Sequence, residues 1–445
     1  MFSRNFILSM TLIMAFGLRV GVAIGLQQFV NSSDQGNFYI DGDADFYWRL
    51  GKQIAAGKAY QIEDELRLRQ VVRMPGFPAM LAVAIKVKEW LNLEGEAFFV
   101  ARILLAGIGT IACWLVYVLG RQLFDETTGL IAAGLTTVSP IMTGFSVVLL
   151  TETVFAACML ASLIVLAKVA QTDFTAASRF QTVGLPVFAG VLIAAATYVR
   201  SSWLLVGPIF FILLVVLSTN RRQALLRGSL VLMGLAVALA PWIVRNYQVT
   251  DKVVVTTLWL GPSLYDGLNP SATGASNMDW FDRENLMAKM TEYQVDRHYR
   301  GKAIEFAINN PVRTVQLAGI KFFRYWKPWP NHEMFSTWWQ CLAVALFFIP
   351  VVVLAAHGWW VTRYQYWNWL LTVGPIIYFS ALHVIFVGSL RYRLPAEYSL
   401  CVMSAIGIQV WIRSRRGGKA NRNQSVSKLL THPKDCRSTL CCRYG

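Results

Sequence analysis

Long apolar runs alternate with short polar connectors from one end of the chain to the other. A hydrocarbon core about 30 Å thick takes roughly 20 apolar residues per helix. Runs near that length lie at 6–26, 97–120, 128–148, 150–170, 183–200, 202–218, 229–247, 337–356, 367–388 and 394–412. They predict an all-α polytopic membrane protein with a bundle of about ten transmembrane helices, nine and eleven being the alternatives. The stretch Pro75 to Leu91 is shorter and carries Lys86, Lys88 and Glu89, so it is expected to lie along the membrane surface as an amphipathic helix.

Two longer polar regions interrupt the runs. Residues 27–96 carry helical patterning over Asp45–Ile54 as well as the 75–91 stretch, and so predict juxtamembrane helices in a first outer loop. Residues 248–336 open with a strand-like run, Val253–Trp259, and continue through a Gly/Pro/Ser/Asn-rich loop to Asn277. Helices are expected at about 280–309 and at 311–326, the second with Pro311 in its first turn. Trp326, Trp329, Trp338 and Trp339 suit an interfacial aromatic belt. Residues 1–412 thus read as one membrane domain, and 413–445 as a basic, disordered cytoplasmic tail able to rest on anionic headgroups.

Composition excludes the soluble classes: 55% of residues are hydrophobic, 15% are charged and the mean hydropathy is +0.45. The formal net charge of +16 is better explained by membrane sidedness and an anionic lipid ligand than by nucleic acid. If 75–91 does not cross, Arg4, Arg121, Lys168 with Arg179, the Arg221/Arg222/Arg227 cluster, Arg363 and the tail all fall inside. The first run, Phe6 to Gly25, is too long for a signal-peptide core and lacks a small-residue cleavage site, so it is expected to stay as an uncleaved first helix. The same parity gathers 27–96, Glu152, Arg200, Arg245, 248–336 and Arg391 on the outer face. Of seven cysteines, Cys113, Cys158, Cys341 and Cys401 lie in apolar runs as small buried side chains. Cys436, Cys441 and Cys442 sit in the tail, where an acylation motif is weak.

The candidate chemistry sits just outside the runs. Asp41, Asp43 and Asp45 are spaced by two but lack the glycine and distal glutamate of a calcium loop. Asp43 suits either a helix N-cap or a catalytic carboxylate, with Tyr47 one turn on. Glu152, the second candidate catalytic carboxylate, sits at a span end, as do the candidate substrate-binding residues Arg200, Arg245 with Asn246, and Arg391-Tyr392-Arg393; Arg73, in the first loop, and Tyr47 are candidate substrate-binding residues too. Headgroup anchoring is the plain reading of these arginines. Outside the membrane, however, they call for local anionic partners, and guanidinium fits phosphate best. His298, His332 and His383 are the histidines placed to reach this face. A divalent ion held by Asp43, Glu152 and a histidine is compatible with these residues, but no ligand spacing marks it, so metal ligands stay unassigned. No Ser-His-Asp motif, Walker loop or dinucleotide fingerprint is present.

In order along residues 1 to about 412 come Asp43-x-x-x-Tyr47 with Gly57 and Tyr60, then Arg73-Met74-Pro75-Gly76-Phe77-Pro78 and Leu150-Thr151-Glu152. Pro241-Trp242-x-x-Arg245-Asn246-Tyr247, Gly267-Leu268-Asn269-Pro270, Asn310-Pro311 and Arg391-Tyr392-Arg393-Leu394-Pro395 follow. This series resembles bacterial GT-C membrane glycosyltransferases related to protein O-mannosyltransferases and aminoarabinose transferases. One departure is Ser201-Ser202 after Arg200, where relatives often have proline. The resemblance implies a GT-C-like bundle in the bacterial inner membrane, with the active site outside. It implies inverting transfer from a polyprenyl-phosphate-linked sugar to a lipid, glycan or protein acceptor. Asp43 matches the acidic catalytic base. The rival reading is a transporter or flippase for a lipid-linked or anionic solute, whose charges would tend to lie at mid-membrane or in broken helices. A third is a non-catalytic assembly protein, which the intact acidic positions argue against.

Overall fold

The computed structural model describes residues 3–32, 38, 40, 42–64, 67–172, 178–331 and 336–416. Eighteen α-helices run in chain order through these residues. They are α1 Arg4–Ser32, α2 Asp43–Ala55, α3 Gly76–Trp90, α4 Ala97–Leu123, α5 Glu126–Val138, α6 Pro140–Phe145, α7 Glu152–Gln171, α8 Leu185–Val199 and α9 Val206–Leu217. There follow α10 Arg221–Thr250, α11 Leu260–Gly267, α12 Asp279–Glu284, α13 Glu292–Asn309, α14 Pro311–Trp326, α15 Trp338–Thr362, α16 Tyr366–Thr372, α17 Gly374–Ile385 and α18 Leu390–Arg416.

Each of the ten expected spans falls on helix. By length and composition, six of the helices are able to cross a membrane: α1, α4, α7, α8 with the turn that precedes it, α10 and α15. The pair α16–α17, bent by 51° at the Val373–Gly374 joint, makes a seventh if taken as one span. The chain is an integral membrane protein.

The other three expected spans have physical reasons to differ. The 128–148 run is broken at Ser139, because the residue before a proline is pushed out of the α region. Ser139 is extended there (ψ 119°), and its hydroxyl caps α6. The 202–218 run opens with a short 3-10 turn and leaves α9 only 12 residues long. Helix α18 is long, but it buries Glu397, Ser399, Ser404 and Gln409 among its apolar residues. It sits inside the bundle, packed on α4, α5, α7, α15 and α17, where protein groups satisfy such polar atoms.

Close backbone approach holds the bundle together. A Cβ on Gly190 of α8 would lie 2.0 Å from the Val231 carbonyl oxygen, and one on Gly234 of α10 would lie 2.1 Å from that of Val187. These reciprocal contacts seat α8 in α10, the packing mode that small residues permit in membranes.

Outside the bundle, α2 and α3 form the first-loop helices expected from sequence. Helix α3, at 15 residues, is about 22 Å long. That is short of the hydrocarbon thickness, in keeping with a surface helix. A two-stranded antiparallel ribbon, β1 Ile62–Asp64 and β2 Arg67–Arg69, was not foreseen. The expected strand at Val253–Trp259 is instead an extended link. Its one ladder-like bond runs from the Leu258 amide to the Val71 carbonyl, at 2.9 Å. Helix α14 falls at 311–326 as expected, while the expected 280–309 helix is divided into α12, a 3-10 turn and α13. A Thr291/Gln294 capping box starts α13. Of the tail, residues 417–445 lie outside the described residues, as do Asp41, His332, Glu333, Cys436, Cys441 and Cys442.

Candidate active site

Five of the residues expected at the site meet at one end of the bundle, each delivered by the end of an element. Asp43 is the first residue of α2, and Gly42 before it makes no side-chain cap. The Asp43 carboxylate does not cap its helix; it points to two guanidiniums. Arg73 Nη2 donates to Asp43 Oδ1 at 2.9 Å, and Arg391 Nη1 donates to Oδ2 at 3.3 Å. Arg391, in the first turn of α18, also donates through Nε to Glu152 Oε1. Glu152 opens α7, where a carboxylate is favoured by the helix dipole. Arg200, just after α8, lies 3.8 Å from the same Glu152 oxygen. Arg391 is therefore the bridge between the two carboxylates.

The two acids have different surroundings. The Asp43 side chain keeps 35% of its exposure, while Glu152 keeps 1%. Only Asp43 is within reach of an incoming molecule without rearrangement. Burial works against ionisation of Asp43, but Arg73 and then Arg391 outweigh it and hold the carboxyl at about 2. Tyr47, one turn along α2, packs edge-on against Phe77 at 5.2 Å. Burial, opposed by Arg73, pushes its hydroxyl up to about 12, so it stays a neutral donor.

Aromatic rings orient the guanidiniums. Arg73 lies over Trp259 at 4.9 Å from the ring centre, and Arg200 lies over Tyr392 at 5.2 Å. Tyr392 stacks on His383 at 4.3 Å. The backbone before α3 is fixed as well, since the Tyr60 hydroxyl donates to the Arg73 carbonyl at 3.2 Å. With both acids ionised, three guanidiniums against two carboxylates leave one net positive charge.

Three other expected binding residues stand apart from this group. Arg245 donates to the Gln70 and Tyr60 carbonyls at 2.8 and 2.7 Å, and Asn246 donates to the Val254 carbonyl at 3.0 Å. Together with Glu292, whose carboxylate accepts the Gln70 and Val71 amides at 3.0 Å each, they lace the first outer loop to the second. Arg393 is fully buried, paired with Glu397 and donating to the Tyr325 and Lys327 carbonyls. His298 lies in α13 beside Tyr299. Among the described residues, no group of three or more His, Cys, Asp or Glu side chains is placed to hold a metal ion. Asp43 and Glu152, each already engaged by guanidinium, fall short of the oxygen-rich shell a hard divalent cation takes.

A cavity of about 1320 Å³ reaches this cluster from the side. Leu18, Val22 and Phe29 of α1 and Trp339, Ala343 and Val344 of α15 line it. So do Pro140, Gly144 and Phe145 of α6, and Arg391 and Tyr392 are among its polar lining. Nothing in the spacing of the sequence marked this groove, because its walls are ordinary apolar helix faces.

Residues 78–245 match the family model of dolichyl-phosphate-mannose-protein mannosyltransferases. That segment includes Glu152 and Arg200 and leaves Asp43, Arg73 and Arg391 outside it. Among solved structures, the archaeal oligosaccharyltransferase AglB from Archaeoglobus fulgidus, in complex with an inhibitory peptide and a dolichol-phosphate, superposes with a TM-score of 0.59. It is 16% identical over 92% of this chain and 50% of its own. Over residues 78–245 the chain is similar to that mannosyltransferase family, and over most of its length it shares the fold of the oligosaccharyltransferase. The apo oligosaccharyltransferase from the same organism gives a TM-score of 0.58 at 14% identity, over 92% of this chain and 51% of that one. This chain thus spans about half the length of those proteins. ArnT from Cupriavidus metallidurans in the apo state, 15% identical over 87% of this chain and 77% of its own, overlaps at only 0.38, too loosely to carry an argument. A comparison with curated proteins found no match.

Proposed function

We propose that this protein is a GT-C membrane glycosyltransferase that transfers a sugar from a polyprenyl-phosphate-linked donor to a hydroxyl or amine of a lipid, glycan or protein acceptor. The reaction would take place, with inversion, on the outer face of a bacterial inner membrane. The observation that carries this reading is the apolar groove between α1 and α15 ending at Arg391, the arginine that bridges Asp43 and Glu152. A long isoprenoid chain suits the groove walls. A phosphate at its head suits a cluster that retains net positive charge. The relative that was solved with a dolichol-phosphate has the same fold, which agrees with this assignment.

The chemistry follows from the residues. The acceptor oxygen or nitrogen attacks the anomeric carbon from the face opposite the phosphate. The new bond forms as the carbon–oxygen bond to phosphate breaks, and the acceptor proton passes to Asp43. Polyprenyl phosphate leaves as an anion, so guanidiniums suffice to stabilise it and no strong general acid is needed. Glu152, buried against Arg391 and Arg200, holds those cations in place. A carboxyl held at about 2 is a weak base, and Arg391 is one of the two groups holding it there. Phosphate attracted to Arg391 competes with Asp43 for that guanidinium, so donor binding strengthens the base. No step here runs through a metal ion.

Purified protein in lipid nanodiscs, supplied with a cell-envelope extract and polyprenyl-phosphate sugars, should release free polyprenyl phosphate from one donor. Asp43→Asn should not. Absence of release from every donor by a folded protein would overturn the reading.

A further inference from the structure

Arg324 of α14 lines the same groove as Arg391, yet it is outside the carboxylate cluster. Its Nε donates to the Gly388 carbonyl at 3.3 Å, in the short link that leads into Arg391. No carboxylate among the described residues pairs with it, and burial alone acts on its charge. The contrast with its neighbours is sharp. Arg391 is shared by Asp43 and Glu152, Arg73 is held by Asp43, and Arg200 faces Glu152.

The surroundings of Arg324 are built rather than incidental. Gly388 is pressed so tightly onto α14 that a Cβ there would lie 2.4 Å from the Lys321 carbonyl oxygen. The Gly388 amide donates to the Gly274 carbonyl at 3.0 Å, and Lys321 Nζ donates to the Ile385 carbonyl at 2.6 Å. Asn331, on the same groove wall, donates to the Arg324 carbonyl at 2.8 Å. Its Oδ1 is buried without a hydrogen-bond partner among the described residues. A guanidinium with no carboxylate partner and an amide oxygen with no donor, both among the described residues lining one apolar groove, leave a donor and an acceptor open to a ligand.

We infer that Arg324 holds the phosphate of a lipid-linked ligand in this groove and that Asn331 accepts a hydrogen bond from the group attached to it. This rests on the proposed donor class and names the residue that anchors it. A guanidinium already neutralised by carboxylates attracts phosphate less than one without a counter-charge. Arg324 then provides most of the resting affinity, and Arg391, shared with Asp43, adds a second contact to the same phosphate.

The test is binding of a fluorescent polyprenyl phosphate to the full-length protein in nanodiscs. Arg324→Gln should weaken it roughly 10- to 100-fold, the scale of a lost charge-assisted contact. Arg324→Lys should recover part of the loss, because charge returns without the fork. Binding of the matching polyprenol, which lacks phosphate, should be equal in wild type and Arg324→Gln. Inorganic phosphate alone should bind the wild type at least roughly 100-fold more weakly than the lipid, since it fills none of the groove. Equal lipid-phosphate affinity in wild type and Arg324→Gln would overturn the assignment and leave the donor reading standing. No polyprenyl phosphate binding by the wild type would overturn the donor reading itself. Inorganic phosphate binding as tight as the lipid would make this a free-anion site and overturn the inference.

Discussion

Asp43 and Asp45 are close together in sequence, yet only Asp43 meets Arg73 and Arg391. Two residues along a helix turn a side chain to another face. Asp43→Asn should therefore lower turnover by roughly 10²-fold or more with the protein still folded, and Asp45→Asn should be far milder. Comparable losses in both variants, measured as release of polyprenyl phosphate, would contradict the assignment. The ion pair also sets a pH dependence. The carboxyl is held at about 2 in the fold, against 3.8 for an ordinary aspartate. Its stabilising contribution is thus complete above about 4 and is lost as pH falls towards 2. The difference in Tm between wild type and Asp43→Asn should shrink across that window; a difference that grew on acidification would contradict the pairing. Asp43 and Arg73 were legible through the first-loop motifs that carry the resemblance, and Glu152, Arg200 and Arg391 as polar types at the ends of apolar runs. Arg245, Asn246 and Arg393 carry the same signature but turn to backbone carbonyls, a choice that depends on loops packed from distant segments. Arg324 left no signature, because a basic residue near the end of an amphipathic helix looks like any interfacial arginine.

Helices follow the apolar runs closely, and the departures trace to local chemistry. Pro140 breaks the 128–148 run by acting on Ser139, a signal present in the sequence but masked by the uninterrupted apolarity around it. The β1–β2 ribbon lies among charged residues with no alternating pattern to show it. The division of 280–309 follows from Asn285 at φ 45°, a left-handed turn that ends α12 and that composition does not specify. The α8–α10 contact gives the sharpest prediction at this scale. Gly190→Leu has no room beside the Val231 carbonyl and should destabilise the protein by about 1–3 kcal/mol or more. Gly134→Leu, at a position where a Cβ meets nothing within 4 Å, should be near neutral. Equal melting shifts in the two variants would contradict close packing of these helices.

The whole molecule joins a lipid-facing groove to a charged cluster at one end of the bundle. The proposed placement of that cluster on the outer face rests on the positive-inside distribution of basic connectors. Labelling of single cysteines at Asn220 and Asn277 should report opposite sides, with a label after Arg415 on the side of Asn220. Asn220 and Asn277 on one side would dismantle the shared outer face. The central claim is that the cluster consumes a polyprenyl-phosphate sugar, and lipid extracts of cells test it most directly. Mass spectrometry of cells lacking this protein should reveal an accumulated polyprenyl-phosphate sugar, cleared by the wild-type gene and left in place by Asp43→Asn. Normal donor levels in the deletion, or full clearance by Asp43→Asn, would contradict it.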